Sequence, residues 1–371
     1  MRIAIFLLIN LLFFQEVFAQ KFQDTIPFRD DLGIIIIPIS FNNKVKHFAF
    51  DTGAQRTISY KWASEELKAT KKQLTVLSSS RKKSKMRFYK SGKIQLGSRK
   101  ISGHKILNTS KNEIFSCYEV DGILGVDIIQ EFNWKINFDK KYLIMYPSNY
   151  TPDEVNKMHK LDFMYSKSRP YVFLKTKSTK FKFLLDTGAS GYANISKRNY
   201  NLTGLEKIPQ QELYTGSYDV NGIFSPSSPL ILKFPKTKSK EVLIKPIVFY
   251  NNVKSSKIGN RVWENKSLFL DLKDENLFVS SQEINNSYES FPCSFAYKNG
   301  KIVVAKIHKN TKVWQLGLRQ GVEVKEINGR EFYNFCSLDK YQRSLTNYTK
   351  PIEITLINGK RLKLYSKNYF E

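Results

Sequence analysis

The tetrapeptide Asp-Thr-Gly-Ala occurs twice in this chain, at Asp51-Thr52-Gly53-Ala54 and at Asp186-Thr187-Gly188-Ala189, and its surroundings repeat with it. A second landmark, Leu124-Gly125, recurs as Ile258-Gly259 at nearly the same spacing. Before each Asp lies the pattern of a hairpin that ends on it. The first copy has Gly33 to Ile39, a turn at Asn42-Asn43, then Val45 to Phe50; the second has Tyr171 to Leu174, a polar stretch, then Phe181 to Leu185. Each landmark is followed by another strand pair. Phe132, Trp134, Ile136 and Phe138 alternate with Asn133, Lys135 and Asn137 before Asp139-Lys140-Lys141 and Tyr142 to Met145. Leu268, Leu270 and Leu272 precede Lys273 to Asn276 and Leu277 to Val279. Such a repeat constrains architecture more than composition does. The chain is expected to fold as two copies of one strand-rich, helix-poor lobe, 20–149 and 150–284, joined through the turn formers from Ser148 to Asp153.

Residues 285–371 fall outside the repeat and read as a third unit. Ile352 to Ile357, Asn358-Gly359 and Lys360 to Leu364 predict a hairpin with a tight type I′ turn. With 371 residues, 41% of them hydrophobic, the chain can give each unit its own core. Cys117, Cys293 and Cys336 encode neither a disulfide framework nor zinc-ligand spacing, so packing alone is expected to carry stability. His47, His104, His159 and His308 have no neighbouring Cys and no regular carboxylate spacing. They read as surface residues, and no metal or other cofactor is expected.

The N-terminus reads as an export signal: Arg2, an apolar run from Ile3 to Phe14 that is short for a membrane span, then Val17 and Ala19, with cleavage after Ala19. The signal would occupy 1–19 and leave an exported protein, periplasmic or extracellular, with no stable membrane insertion after cleavage; an uncleaved anchor is the rival reading. The formal charge of +27 favours attraction to anionic membranes, polysaccharides or acidic substrates. Because the lysines are spread along the whole chain, the charge reads as a compositional bias, and no nucleic-acid partner is expected.

Phe50 to Ala54 with Asp121-Gly122-Ile123-Leu124-Gly125-Val126-Asp127, and Leu185 to Ser190 with Ile258-Gly259-Asn260, resemble the motifs of retropepsin-like aspartic peptidases over roughly residues 25–280. The second landmark departs from the pattern, with Lys257 in place of an apolar residue. The resemblance implies a mainly β fold of two acid-protease lobes about a pseudo-two-fold axis. It implies a catalytic dyad of Asp51 and Asp186, Thr52 and Thr187 interlocked beneath it, and Gly53 and Gly188 keeping the loops thin. Carboxylates held that close share one proton. The ionised one draws a proton from the attacking water, and the protonated one donates toward the carbonyl oxygen. Ala54 and Ala189 stand where many acid-acting relatives carry a charge-stabilising hydroxyl, so activity is expected to extend toward neutral pH. With both copies in one chain a monomer suffices; pairing between chains is the alternative.

The resemblance also implies a flap between each Asp and its Gly landmark. In the second copy Tyr214, Gly216, Tyr218 and Gly222 predict a mobile, substrate-covering lid. In the first, Ser79 to Tyr89 includes Arg81, Lys82 and Lys83, which point either to acidic substrate side chains or to a solvated loop. Further on, Cys293 to Tyr297, Gly300 to Val304, Leu316 to Val324 and Glu326 to Arg330 resemble a PDZ domain of the kind attached to bacterial proteases. Such a domain takes an extended peptide as an added strand, here along Cys293, Ser294 and Phe295, and cradles its terminal carboxylate. The loop from Phe291 to Phe295 lacks the usual Gly, and Gly321-Val322 replaces the common Gly-Asp. Peptide capture and scaffolding therefore both stay open for this PDZ-like unit. The expected partners are a peptide or protein substrate and a C-terminal peptide. One alternative keeps the fold and drops the chemistry, giving a catalytically inactive exported peptide-binding protein. Another is an adhesive protein that uses its basic surface on anionic polymers.

Overall fold

Alternation along Ile36–Phe41 sends Ile37, Ile39 and Phe41 into the core. Asn42 and Asn43 then take positive φ angles of 49° and 69°, which reverses the chain in two residues and sets Phe41 opposite Lys44. This hairpin belongs to a computed structural model that describes residues 23–77, 83–110, 113–201, 210–218, 224–227, 229–253, 255–345 and 349–370. The export signal, Gly222 and the segment from Ser79 to Lys82 lie outside the described residues, and for 210–218 and 224–227 only the backbone is described.

The protein is mainly β, and the repeated segments pair in the same way in both copies. In the first, a nine-stranded sheet holds Gly122–Leu124 parallel to Lys44–Phe50 and antiparallel to Ile58–Tyr60. In the second, Lys257–Ile258 is parallel to Lys180–Leu185 and antiparallel to Ala193–Ser196. Leu124 therefore lies beside Phe50, and Ile258 beside Leu185. The backbone N–H of Asp51 donates to Leu124 O at 3.0 Å, and that of Asp186 donates to Ile258 O at 2.9 Å. Each landmark thus holds the residue that carries the acid.

A six-stranded sheet joins the lobes from below. The hairpin Phe132–Asn137/Tyr142–Pro147 of the first copy meets the hairpin Ser267–Asp271/Asn276–Val279 of the second, with Trp134 opposite Leu270 and Ile136 opposite Leu268. Asp24–Pro27 closes one edge and His159–Lys160 the other. Trp134, Ile136, Leu268 and Leu270 are fully buried, and one continuous apolar core runs through both lobes. Burial of each such side chain stabilises the union by about 1.5–3 kcal/mol relative to exposure.

The third unit has a separate core built on Cys293–Lys298, Lys301–His308, Glu323–Ile327, Ile352–Leu356 and Arg361–Leu364. It does not stand apart. Backbone pairing sets Leu213 opposite His308 and Tyr214 opposite Ile307, so the strand Gln210–Tyr218 of the second lobe joins the third unit's sheet. Cys117 and Cys336 form a disulfide across 219 residues, tying the helix Glu113–Cys117 of the first lobe to the helix Phe335–Ser344.

Three expectations are corrected here. The cysteines do encode a disulfide; the odd count leaves Cys293 as a buried free thiol, and partnership is decided by packing that sequence spacing cannot show. The Asn358-Gly359 turn is not type I′: Leu356 pairs with Lys360, leaving a three-residue loop in which Gly359 alone takes positive φ, at 82°. His308 is not a surface residue. It is fully buried, stacks on Tyr369 at 4.0 Å and shares its Nε2 with the hydroxyls of Tyr288 and Ser290. Burial, reinforced by the Lys306 charge, pushes its pKa down to about 2.

Candidate active site

The two Asp-Thr-Gly-Ala loops meet across the junction of the lobes, and their threonines cross over. Thr52 Oγ1 donates to Leu185 O and Thr187 Oγ1 donates to Phe50 O, both at 2.7 Å. In return, Thr187 N donates to Thr52 Oγ1 at 3.1 Å and Thr52 N to Thr187 Oγ1 at 3.0 Å. Both threonines are fully buried. Each hydroxyl therefore satisfies two backbone groups of the opposite lobe, groups that would otherwise be stranded without water.

Above this knot Asp51 and Asp186 share one small space. A Cβ added at Gly188 would lie 2.3 Å from Asp51 Cγ, and one added at Gly53 would lie 2.8 Å from Asp186 Cγ. Any side chain at either glycine would strike the opposite carboxyl group, which is the reason for glycine there. Gly125 and Gly259 are needed for a similar reason, since a Cβ at either would come within 2.4 Å of the backbone of Arg56 or Gly191. Supporting hydrogen bonds fix the first loop: Asp127 Oδ1 accepts from Thr57 N and Oγ1, and Thr57 Oγ1 accepts from Gly125 N. In the second loop Asn260 Nδ2 takes over, donating to Thr187 O at 2.9 Å and to Gly33 O at 3.1 Å.

The two carboxylates are not held alike. Asp51 Oδ1 accepts from Gly53 N at 2.7 Å and from Ala54 N at 3.1 Å. Asp186 Oδ2 instead receives the ammonium of Lys257 at 3.0 Å. Burial, and then the Asp186 charge, push the Asp51 carboxyl up to about 7, against the opposing pull of the Gly53 amide and Lys257. The Asp186 charge in turn raises the Lys257 ammonium above its ordinary value. Lys257, which the sequence offered only as a flaw in an apolar landmark, is a member of the site. The signal was present: it occupies the place of Ile123, one residue before the Leu or Ile that flanks each acid.

A cleft of about 740 Å³ opens over the two acids. Ile34, Ile58, Ile123 and Phe115 give it an apolar wall, while Arg56, Arg169 and Arg343 bring positive charge to it. The first-copy hairpin Ala69–Leu77/Lys83–Lys90 overhangs it, and Leu74, Thr75, Val76 and Leu77 face the space. In the second copy the backbone of Tyr214 pairs with the third unit, and Gly216 and Tyr218 pair with Pro226 and Phe224 in a hairpin. That hairpin lies where the repeat places a flap, with its base attached to a neighbouring sheet. Arg343 comes from the third unit, whose helix is anchored beside the cleft by the disulfide and by Tyr118, whose hydroxyl donates to Asp339 Oδ2 at 2.8 Å.

Of the residues expected to receive a peptide in the third unit, Cys293 and Phe295 are buried and Ser294 is half-buried. The Phe295 N–H donates to Gln342 Oε1 at 2.7 Å, and Gln342 Nε2 donates to Phe295 O at 2.9 Å. An added strand would need those two backbone groups. Burial pushes the Cys293 thiol up to about 12, so it stays protonated at neutral pH.

Residues 37–128 match the family model for aspartyl proteases. That stretch contains Asp51, the hairpin Ala69–Leu77/Lys83–Lys90 and the landmark Leu124-Gly125. The match supports an aspartic protease domain and a protease-type function, and hence peptide or protein substrates. No curated protein matches the chain.

Proposed function

We propose that this chain is an aspartic endopeptidase in which Asp51 and Asp186, one from each lobe, activate a single water for attack on a peptide bond. The observation that carries the reading is the convergence of both carboxylates over the interlocked Thr52–Thr187 pair. Two acids in one space supply a base and an acid at the same time, which peptide hydrolysis by water requires. Each lobe supplies one acid, so one chain completes the site.

The cleft favours extended peptides with an apolar side chain at the centre and acidic side chains toward Arg56, Arg169 and Arg343. The raised Asp51 carboxyl supports activity toward neutral pH: below about 7 it still carries the proton to be donated, and above about 7 that donor is lost. The third unit, read as PDZ-like, acts in this account as a fixed wall of the cleft, because Gln342 occupies the Phe295 edge and the disulfide pins the helix. The export signal read at the N-terminus fits a mature enzyme that works outside the cytoplasm, and the Cys117–Cys336 disulfide supports that location.

The test is cleavage of a peptide library by the purified mature chain and by its Asp51→Asn and Asp186→Asn variants. Loss of at least about 10²-fold in both variants supports the dyad. Undiminished cleavage by either variant refutes it. One observation favours the inactive, peptide-binding reading: the ammonium of Lys257 on Asp186. Peptide binding without cleavage at any pH would establish that reading instead.

A further inference from the structure

Ile123 and Lys257 occupy matched places in the two lobes. Ile123 lies opposite Ala49 and Lys257 opposite Leu184, each two residues before its acid, and both side chains line the cleft. One lobe thus presents a hydrocarbon to the dyad and the other a cation. The pair Asp51/Asp186 is symmetric in backbone and asymmetric in charge.

We propose that Lys257 divides the labour of the dyad: its ammonium keeps Asp186 as the ionised member, the base, and leaves Asp51 as the proton carrier, the acid. The inference rests on the peptidase reading and deepens it. The cation is 3.0 Å from Asp186 Oδ2. Ala189 brings no hydroxyl to that carboxylate, so Lys257 supplies the side-chain donor that stabilises its charge. Among the described residues Asp51 has no ion pair of this kind, and it sits in a space where two ionised carboxylates repel each other. Among the described residues, the charged and titratable groups facing Asp186 across the cleft are Asp51, Lys257, Arg56, Arg169 and Arg343. The arginines keep their charge at every relevant pH.

The chemistry balances in two steps. As water attacks the carbonyl carbon, a C–O bond forms, one water proton passes to Asp186, and the Asp51 proton passes to the carbonyl oxygen. In the collapse, a hydroxyl proton of the gem-diol returns to Asp51, the Asp186 proton moves to the amine nitrogen, and the C–N bond breaks. Both acids end as they began. A protonated Asp186 beside an ammonium gives up its proton readily, so Lys257 assists the second step and makes Asp186 a weaker base in the first. The expected consequence is activity that persists to lower pH than a dyad without the cation would allow.

The experiment compares wild type, Lys257→Met and Lys257→Arg by carboxyl ¹³C titration of labelled aspartates, assigned with Asp51→Asn and Asp186→Asn, and by the pH profile of kcat/KM. In wild type, Asp186 is expected to stay ionised through the range in which Asp51 titrates. In Lys257→Met the two should titrate as a shared pair, and the acid limb of the profile should move up by about one to three pH units, the effect of an opposite charge at this range. Lys257→Arg should restore the wild-type order. A proton resident on Asp186, unmoved titrations in Lys257→Met, or a Lys257→Met enzyme faster at every pH, as expected if the ammonium only blocks the water site, would each overturn the proposal. The titrations need no turnover. A chain that cleaves nothing but titrates as expected loses the peptidase reading alone; one that cleaves peptides with the proton on Asp186 loses the Lys257 proposal alone.

Discussion

Replacing Thr52 with Val keeps the shape of the side chain and removes one hydroxyl from the centre of the molecule. That hydroxyl donates to Leu185 O at 2.7 Å and accepts from Thr187 N at 3.1 Å, and its residue is fully buried. Thr52→Val therefore strands one carbonyl and one N–H of the opposite lobe. At about 1–3 kcal/mol for each buried unsatisfied group, the expected loss is about 2–6 kcal/mol. Thr187→Val should cost a similar amount through Phe50 O and Thr52 N. Thr52→Ser retains the hydroxyl and loses only a methyl, about 1 kcal/mol. Urea denaturation followed by the fluorescence of Trp134 and Trp263, both fully buried, measures the difference. Should Thr52→Val stay within about 0.5 kcal/mol of wild type, or should Thr52→Ser be as damaging, the hydroxyls do not bridge the lobes and the argument for a shared site fails.

Other perturbations test separate parts of the account. Asp51 has a folded pKa raised above its unfolded value, so it favours the fold most below about pH 4, and that contribution is lost as pH rises through about 7. Thermal denaturation against pH should show wild type losing up to about 4 kcal/mol over that window and Asp51→Asn losing much less, while activity is abolished. Cys336→Ser should cost about 2–5 kcal/mol and expose the junction between the third unit and the first lobe to limited proteolysis, with the unit's own core intact. Equal protease resistance with and without the bridge would show that it is not a clamp. Arg343→Gln should lower kcat/KM for peptides with acidic side chains several-fold and leave neutral peptides unaffected; uniform loss across both sets would mean a structural role instead.

The matched strand pairing of the two copies and the meeting of their Asp-Thr-Gly-Ala loops were legible because the pattern is written twice. The floor hairpins follow from apolar alternation in Phe132 to Phe138 and Leu268 to Leu272, and the glycines from a clash that any side chain would cause. What the sequence hid depends on contacts between distant segments. Cys117 and Cys336 become neighbours only after the third unit packs on the first lobe. His308 reads as polar until Tyr288 and Tyr369 close over it. Lys257 looks like a defect in an apolar triplet, because nothing in one dimension shows that its strand runs beside Leu185 with the side chain reaching the acid. The Asn358-Gly359 turn failed for a smaller reason: loop length is set by the register of the flanking strands, which the dipeptide alone does not fix.

The central claim is that one reacting group is held by two acids from two lobes. Its most direct test is a crystal structure of the mature chain with a peptide in which a tetrahedral hydroxyl replaces the scissile carbonyl. The account predicts that hydroxyl within about 2.5–3.2 Å of carboxylate oxygens of both Asp51 and Asp186. A peptide seated elsewhere, or a hydroxyl touching only one of the two, would contradict it.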